Sequence, residues 1–142
     1  MILVANNHPF LRFPIRDTFR TVQSVLQYKS VSSCEVSIVF VESRFIRGIN
    51  RRFLRHDYIT DVIAFPLGEG DGNGREGEIY VNLDRAKSQA RDYGITFVQE
   101  TRRLIIHGML HLLGYMDSSP RKKARMTRCE DALLARLSAS TR

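Results

Sequence analysis

Residues 107–117, HGMLHLLGYMD, set two imidazoles four positions apart in an apolar run, followed by a glycine and an acid. On a helix, residues four apart share a face, with Cβ atoms roughly 6 Å apart. His107 and His111 can then each reach one Zn²⁺ at about 2.0–2.1 Å. Gly114 suits the left-handed turn that stops a helix. The chain can fold back there and carry Asp117 over the two rings. A rigid helix would hold two ligands and a glycine turn would deliver the third, leaving a fourth position open as in catalytic zinc sites. The alternative is that either ring is a core histidine bonded to a carbonyl. Leu104, Ile105, Ile106, Met109, Leu110, Leu112 and Leu113 crowd the pair. Imidazoles among them need polar partners, and one metal would satisfy both.

Metzincin proteases use the same spacing, with glutamate directly after the first histidine as the base that activates water. That position is Gly108 here, which argues against peptide hydrolysis and leaves room for close approach of another element or a substrate. The segment GEGDGNGREG, 68–77, superficially resembles a calcium loop. Counted from Asp71, the sixth position is Glu76 where glycine is required and the twelfth is Asn82, so calcium is rejected. It also lacks the Gly-Lys-Ser/Thr of a phosphate-binding loop, so no nucleotide cofactor is expected.

The elements that must position these groups follow from periodicity. Ile2–Ala5 reads as a strand. Pro14 opens a helix on which Ile15, Phe19, Val22 and Leu26 keep helical spacing. Cys34, Val36, Ile38 and Phe40 alternate as a strand. Ser43 is a candidate cap for a helix over 43–56 with Phe45, Ile46, Ile49 and Phe53 inward. Thr60–Phe65 and Glu78–Asn82 are two further strands. Leu83, Ala86, Ala90 and Tyr93 form a helical stripe that Gly94 ends. Thr96 and Gln99 make a capping-box pattern for the histidine helix, which runs to about Leu113. Ser118 or Ser119 caps a last helix with Met126, Cys129, Leu133 and Leu137 inward. The order predicts an α/β (α+β) fold. It would be a single domain over residues 1–142, with the metal site on a helix and the turn after it.

The 142 residues are 43% hydrophobic and 26% charged, with a net charge of +7 and a pI near 9.9. No apolar run approaches the roughly 20 residues that span a bilayer. The start, MILVANNHPF, does not read as a signal peptide, so a cytoplasmic protein without membrane association is expected. Cys34 and Cys129 are too few for a disulfide framework and are expected to pack as small apolar groups. The positive charge points to a polyanionic partner. Arg44, Arg47, Arg51 and Arg55 fall on one face of the 43–56 helix, suited to phosphate by their fork geometry; a solvated polar face is the plainer reading. Arg121, Lys122, Lys123, Arg125 and Arg128 follow the candidate zinc turn. No aromatic ladder accompanies either cluster, so base stacking is not expected. His56 is a candidate proton carrier.

HGMLHLLGY resembles the signature of the YbeY family of endoribonucleases, His-Gly-x-Leu-His-Leu-x-Gly-Tyr-Asp-His. INRRFLRHDYITDVIAFP, 49–66, is similar to a second block of that family. GEIYVN, 77–82, with Ala86, Gln89 and Ala90, resembles a third, and Met126 and Glu130 match its final helix. The resemblance spans roughly residues 36–134 in matching order. It implies a single compact domain with a small mixed β-sheet flanked by helices, and single-strand-specific RNA cleavage in ribosomal RNA maturation, including 16S rRNA processing, and in ribosome quality control. It also implies ribosomal particles as partners and one Zn²⁺ per chain held by three histidines. Three departures follow. An ungapped match places Asp117 at the third histidine. A one-residue insertion would instead leave Ser118 there, but aspartate binds zinc at about 2.0–2.2 Å and serine is a poor ligand. A His₂Asp centre is nominally +1 rather than +2, and should acidify its water less. The family arginine falls on Leu54, so Arg55 or a neighbour must grip phosphate. Gly-Asp becomes Gly77-Glu78. Asp57, Thr60 and Asp61 match the second block and are expected either to orient ligands or to cap the turn before a strand.

The reading expected from the sequence is a metal-dependent endoribonuclease with metal ligands His107, His111 and Asp117 and with Arg55 stabilising developing charge. Two alternatives stand beside it: a non-catalytic RNA- or ribosome-binding assembly factor with a structural metal site, and a metallohydrolase of small substrates.

Overall fold

The computed structural model describes residues 1–67 and 75–140. Their order is β1 (Ile2–Asn6), α1 (Ile15–Tyr28), β2 (Cys34–Val41), α2 (Ser43–Leu54), β3 (Val62–Pro66), β4 (Arg75–Asn82), α3 (Leu83–Tyr93), α4 (Phe97–Leu112) and α5 (Pro120–Ser140). This is the order expected from periodicity. Most of the glycine-rich stretch 68–77, where calcium was rejected, lies outside the described residues; only 75–77 fall inside, opening β4.

The sheet runs β1-β2-β4-β3. β1 and β4 each pair parallel to β2, and β3 pairs antiparallel to β4 with Val62 opposite Val81. The sheet is therefore mixed, and β3 is an edge. Alternation divides its faces. Val36, Ile38, Phe40, Ile79 and Val81 face a large core closed by α1, α3, α4 and α5. Val39, Val41, Ile63, Phe65 and Tyr80 face the other way, onto Ile46 and Ile49 of α2. α4 is the central helix and packs against α1, α3, α5, β3 and β4. A Cβ on Gly108 would lie 2.7 Å from Ile79 Cγ2, so the glycine seats α4 directly on the sheet. The approaching element at Gly108 is thus β4, not substrate.

Several boundaries and faces differ from expectation. β3 begins at Val62 rather than Thr60, and β4 begins at Arg75. Ser43 does not cap α2; Glu42 holds that position, and the Ser43 amide donates to Asp84 Oδ2 at 2.9 Å. A carboxylate from α3 thus serves an orphan amide of α2, a long-range substitute for a local cap. Asp84 also meets the buried His8 Nε2 at 2.8 Å. Burial raises the Asp84 carboxyl, but the bonds from His8 and Ser43 outweigh it and hold it below the ordinary value. Ser119 caps α5, with the Lys122 amide on its Oγ. The Thr96–Gln99 capping box forms as expected. Ile15, Phe45, Phe53 and Tyr93, expected to be inward, are exposed. They lie at helix ends or at the margin of the sheet, where a stripe outruns the surface it packs on. Cys34 is buried and Cys129 half-buried. Among the described residues no helix is long and apolar enough to cross a membrane.

Candidate metal centre and groove

α4 buries its residues on three sides, and the stripe Arg103–His107–His111, with spacing four and four, is its partly open one. The histidines are thus not enclosed by apolar neighbours as the sequence suggested. Their side chains are 23% and 29% exposed, at the margin of the helix–sheet contact. α4 ends in a Schellman turn: the Tyr115 amide donates to Leu110 O and the Gly114 amide to His111 O, with Gly114 at φ +100°. The turn returns the chain over the end of its own helix and delivers Asp117.

The result is a triangle of donors. His107 Nε2 and His111 Nε2 are 3.1 Å apart, and Asp117 Oδ2 lies 3.8 Å from the first and 3.5 Å from the second. A tetrahedral ion with bonds of about 2.0–2.1 Å sets neighbouring donors about 3.3–3.4 Å apart. The triangle fits one ion of that kind with little movement, and its donors are those that zinc takes. These three residues could hold a metal; the triad expected from sequence is assembled.

Glu130, on α5, was matched to the family's final helix from sequence but given no role at the site. Its Oε2 lies 2.5 Å from His107 Nδ1. A carboxylate can only accept, so Nδ1 is the donor in this contact and Nε2 is the ring nitrogen turned to the triangle, the carboxylate–histidine arrangement of metal sites. Glu130 is 4% exposed. Arg103 faces it at 3.7 Å and forks onto the fully buried Glu100 at 2.7 and 2.6 Å. The hydrogen bonds to Glu100 hold the Arg103 guanidinium well above its ordinary pKa. Gln89 bonds Glu100 at 2.6 Å and reaches Asp61 at 3.4 Å. The available signal was an acid on the inward stripe of α5, between Met126 and Leu133, where an unpaired charge is costly.

A groove of about 500 Å³ opens from the metal cluster. His111 and Asp117 are among its lining residues. Val62, Ile63, Ala64 and Pro66 line it from the edge strand, and Asn50, Leu54, His56, Tyr58 and Thr60 from α2 and the turn after it. His56 is therefore in reach of the site's occupant. Leu54, where the resemblance would have an arginine, lines the groove as well. Arg55 does not continue the α2 face: the helix ends at Leu54, and Arg55 takes a left-handed φ of +58° with its side chain in solvent. Within the arginine face, Arg47 pairs with Asp57 at 2.9 Å. That bond lowers the Asp57 carboxyl and ties the 55–60 turn to α2. Neither Asp57 nor Asp61 touches a ligand histidine. The Thr60 carbonyl accepts from Asn82 Nδ2 at 3.0 Å, which anchors the turn to β4.

The second basic cluster backs the metal turn. Lys122 and Arg125 line a hollow with Leu113, Gly114, Tyr115 and Met116, and Arg125 lies over the Tyr115 ring at 5.1 Å. Contrary to expectation, aromatic rings do gather near the arginine helix. Phe45, Tyr80, Phe65 and Phe53 form a series with centroids 6.3, 6.0 and 5.9 Å apart. They come from α2, β3 and β4, so no local ladder marks them.

Comparison with known proteins points to one family. A family model described as endoribonuclease YbeY matches residues 5–138. An endoribonuclease YbeY of Chlorobium luteolum is 43% identical over 118 residues, covering 83% of this chain and 85% of that protein. One of Salinibacter ruber is 33% identical over 138 residues, covering 92% and 88%. A solution structure of a Thermotoga maritima protein superposes with a TM-score of 0.66 at 26% identity, covering 99% of this chain and 91% of that one. With its match running through the strand, groove and histidine helix alike, the chain belongs to the YbeY endoribonuclease family.

Proposed function

We propose that the chain, acting as one domain, is a zinc-dependent endoribonuclease that cuts single-stranded RNA in the groove beside β3. The observation that carries this reading is the donor triangle of His107, His111 and Asp117, two of whose members line an open groove of about 500 Å³. The two Nε2 atoms and one carboxylate oxygen would hold the ion. A bound Zn²⁺ supplies Lewis acidity at a phosphodiester and lowers the pKa of water. Glu130 keeps His107 in the ligating tautomer. Asp117 adds a negative charge, so the site draws less acidity from its metal than a three-histidine site would.

The groove wall supplies the rest. His56 stands where it can hold or pass a proton at a scissile phosphate. Arg55, between two groove residues, meets the phosphate from the rim and stabilises charge developing there. Arg51 and Arg44 extend the positive surface along α2. The net charge of +7 favours a polyanion and predicts salt-dependent binding. The substrate class that follows from the family is ribosomal RNA, including 16S rRNA, on ribosomal particles in the cytoplasm.

The test is cleavage of single-stranded and duplex RNA by pure protein, with and without chelator, beside His111→Ala. Chelator-sensitive cutting of single strands, lost in His111→Ala, is the expected result. Equal cutting with and without chelator sinks the metal chemistry. Retention on ribosomal particles without any nuclease activity would favour the non-catalytic assembly factor, for which Asp117 in place of the third histidine and Leu54 in place of the arginine speak.

A further inference from the structure

Across the edge strand from the metal groove lies a second, smaller cavity of about 250 Å³, lined by Ile49, Phe53, Phe65, Pro66, Leu67, Glu78 and Tyr80. Pro66 lines both cavities. A single strand bound in the groove and continuing past Pro66 would reach this cavity. Its volume lies below the about 300–1,000 Å³ typical of drug-sized ligand sites, suited to one nucleobase. Phe53 is 63% exposed and stands edge-on to Phe65 at 5.9 Å, leaving a ring face open to a stacking partner. Single-stranded RNA is held in this way, by bases stacked on aromatic rings and read along their hydrogen-bonding edges.

The polar group in the cavity selects the base. Glu78 accepts a hydrogen bond from the Tyr80 hydroxyl on Oε2. A carboxylate has about four acceptor sites, so capacity remains. Guanine alone presents two adjacent donors, its N1–H and 2-amino group, that match a carboxylate. Adenine, cytosine and uracil each present one donor on that edge. The charge around the cavity places the phosphates. Arg52 follows Ile49 by three on α2, at the rim, and is exposed. Glu76 shares the face of Glu78 on β4, opposite Glu35 of β2. These acids repel a backbone on the sheet side and leave it the arginine side.

We propose that this cavity binds one guanine of single-stranded RNA, stacked on Phe53 with its Watson–Crick edge on Glu78. The site would give the nuclease a sequence preference at a fixed distance from the cut. This rests on the endoribonuclease reading for its purpose, but binding tests it separately from cleavage.

The probes are fluorescein-labelled heptauridylates with a central guanosine, inosine or uridine, titrated by anisotropy onto the full zinc-loaded chain and onto His111→Ala. The guanosine probe is expected to bind about tenfold more tightly than the uridine probe, with inosine, which lacks the 2-amino group, weaker than guanosine. Glu78→Gln removes the preference. Phe53→Ala weakens the guanosine probe at least about fivefold, and Phe53→Trp retains it. Phe53 is exposed, so these variants fold, which circular dichroism checks. Equal affinity for the three probes overturns the proposal. So does an unchanged affinity in Phe53→Ala, and if that variant instead loses binding to ribosomal proteins, the patch is a protein dock. Absence of cleavage alongside an intact guanine preference would remove the nuclease reading and leave the pocket standing.

Discussion

Substituting Glu130 by glutamine separates the metal site from the fold that carries it. Glu130 Oε2 is 2.5 Å from His107 Nδ1, and glutamine keeps the shape while removing the charge. Loss of such a ligand-orienting partner costs about 10–100-fold in metal affinity, or about 1.4–2.8 kcal/mol. The cost to the fold should be smaller. Arg103 faces Glu130 at 3.7 Å, beyond hydrogen-bond reach, and keeps both bonds to Glu100. A loss of about 1 kcal/mol is expected from the one weakened hydrogen bond. The assay is titration of metal-free protein with Zn²⁺ against a chromophoric chelator, beside urea unfolding. Zinc affinity should fall by the stated factor, and RNA cleavage should fall at limiting zinc and recover at excess. Wild-type zinc affinity in Glu130→Gln would refute the view that Glu130 sets the tautomer and basicity of His107.

Asp117→Ala should lose most bound zinc while Asp117→His retains it, by metal analysis after gel filtration; full zinc in Asp117→Ala would remove Asp117 as a ligand. Gly108→Ala should destabilise by about 1–3 kcal/mol in urea, despite the roughly 1 kcal/mol that alanine gains over glycine in a helix, because the new Cβ meets the fully buried Ile79; a neutral result would mean that α4 can lift from the sheet freely. Arg102→Ala should cost about 3 kcal/mol or more, since it breaks the two 2.8 Å bonds to Asp17 that tie α4 to α1. Burial, and then the bond to Glu78, push the Tyr80 phenol up to about 12 from 10.0. A raised pKa favours the folded state fully below pH 10 and loses that contribution as pH climbs through 12, so wild type should lose stability faster than Tyr80→Phe between pH 10 and 12; parallel curves would refute it.

Much of this was legible because the signals are local. The i, i+4 histidines, the Gly114 turn, the Thr96–Gln99 box and the period-2 strands depend on neighbours within one or two turns. The same locality explains the errors. Ile15 and Phe53 keep the helical stripe, yet the core does not extend beneath them. Ser43 has the right residue type for a cap, but Asp84 arrives from 41 residues away. The α2 arginine face was drawn one residue too far, because Arg55 enters a left-handed conformation that its type does not announce.

By itself, then, the sequence determined the elements, their order, the three metal-ligand candidates and the basic surface, since periodicity and turn chemistry are written in adjacent residues. Tertiary structure decided what those faces meet. It set Glu130 against His107 across 23 residues, laid a groove between the end of α2 and the edge strand, and gathered four rings from three elements beside it. The reason is physical: a hydrophobic period states that a face will be buried, and only the packing of whole elements selects its partner.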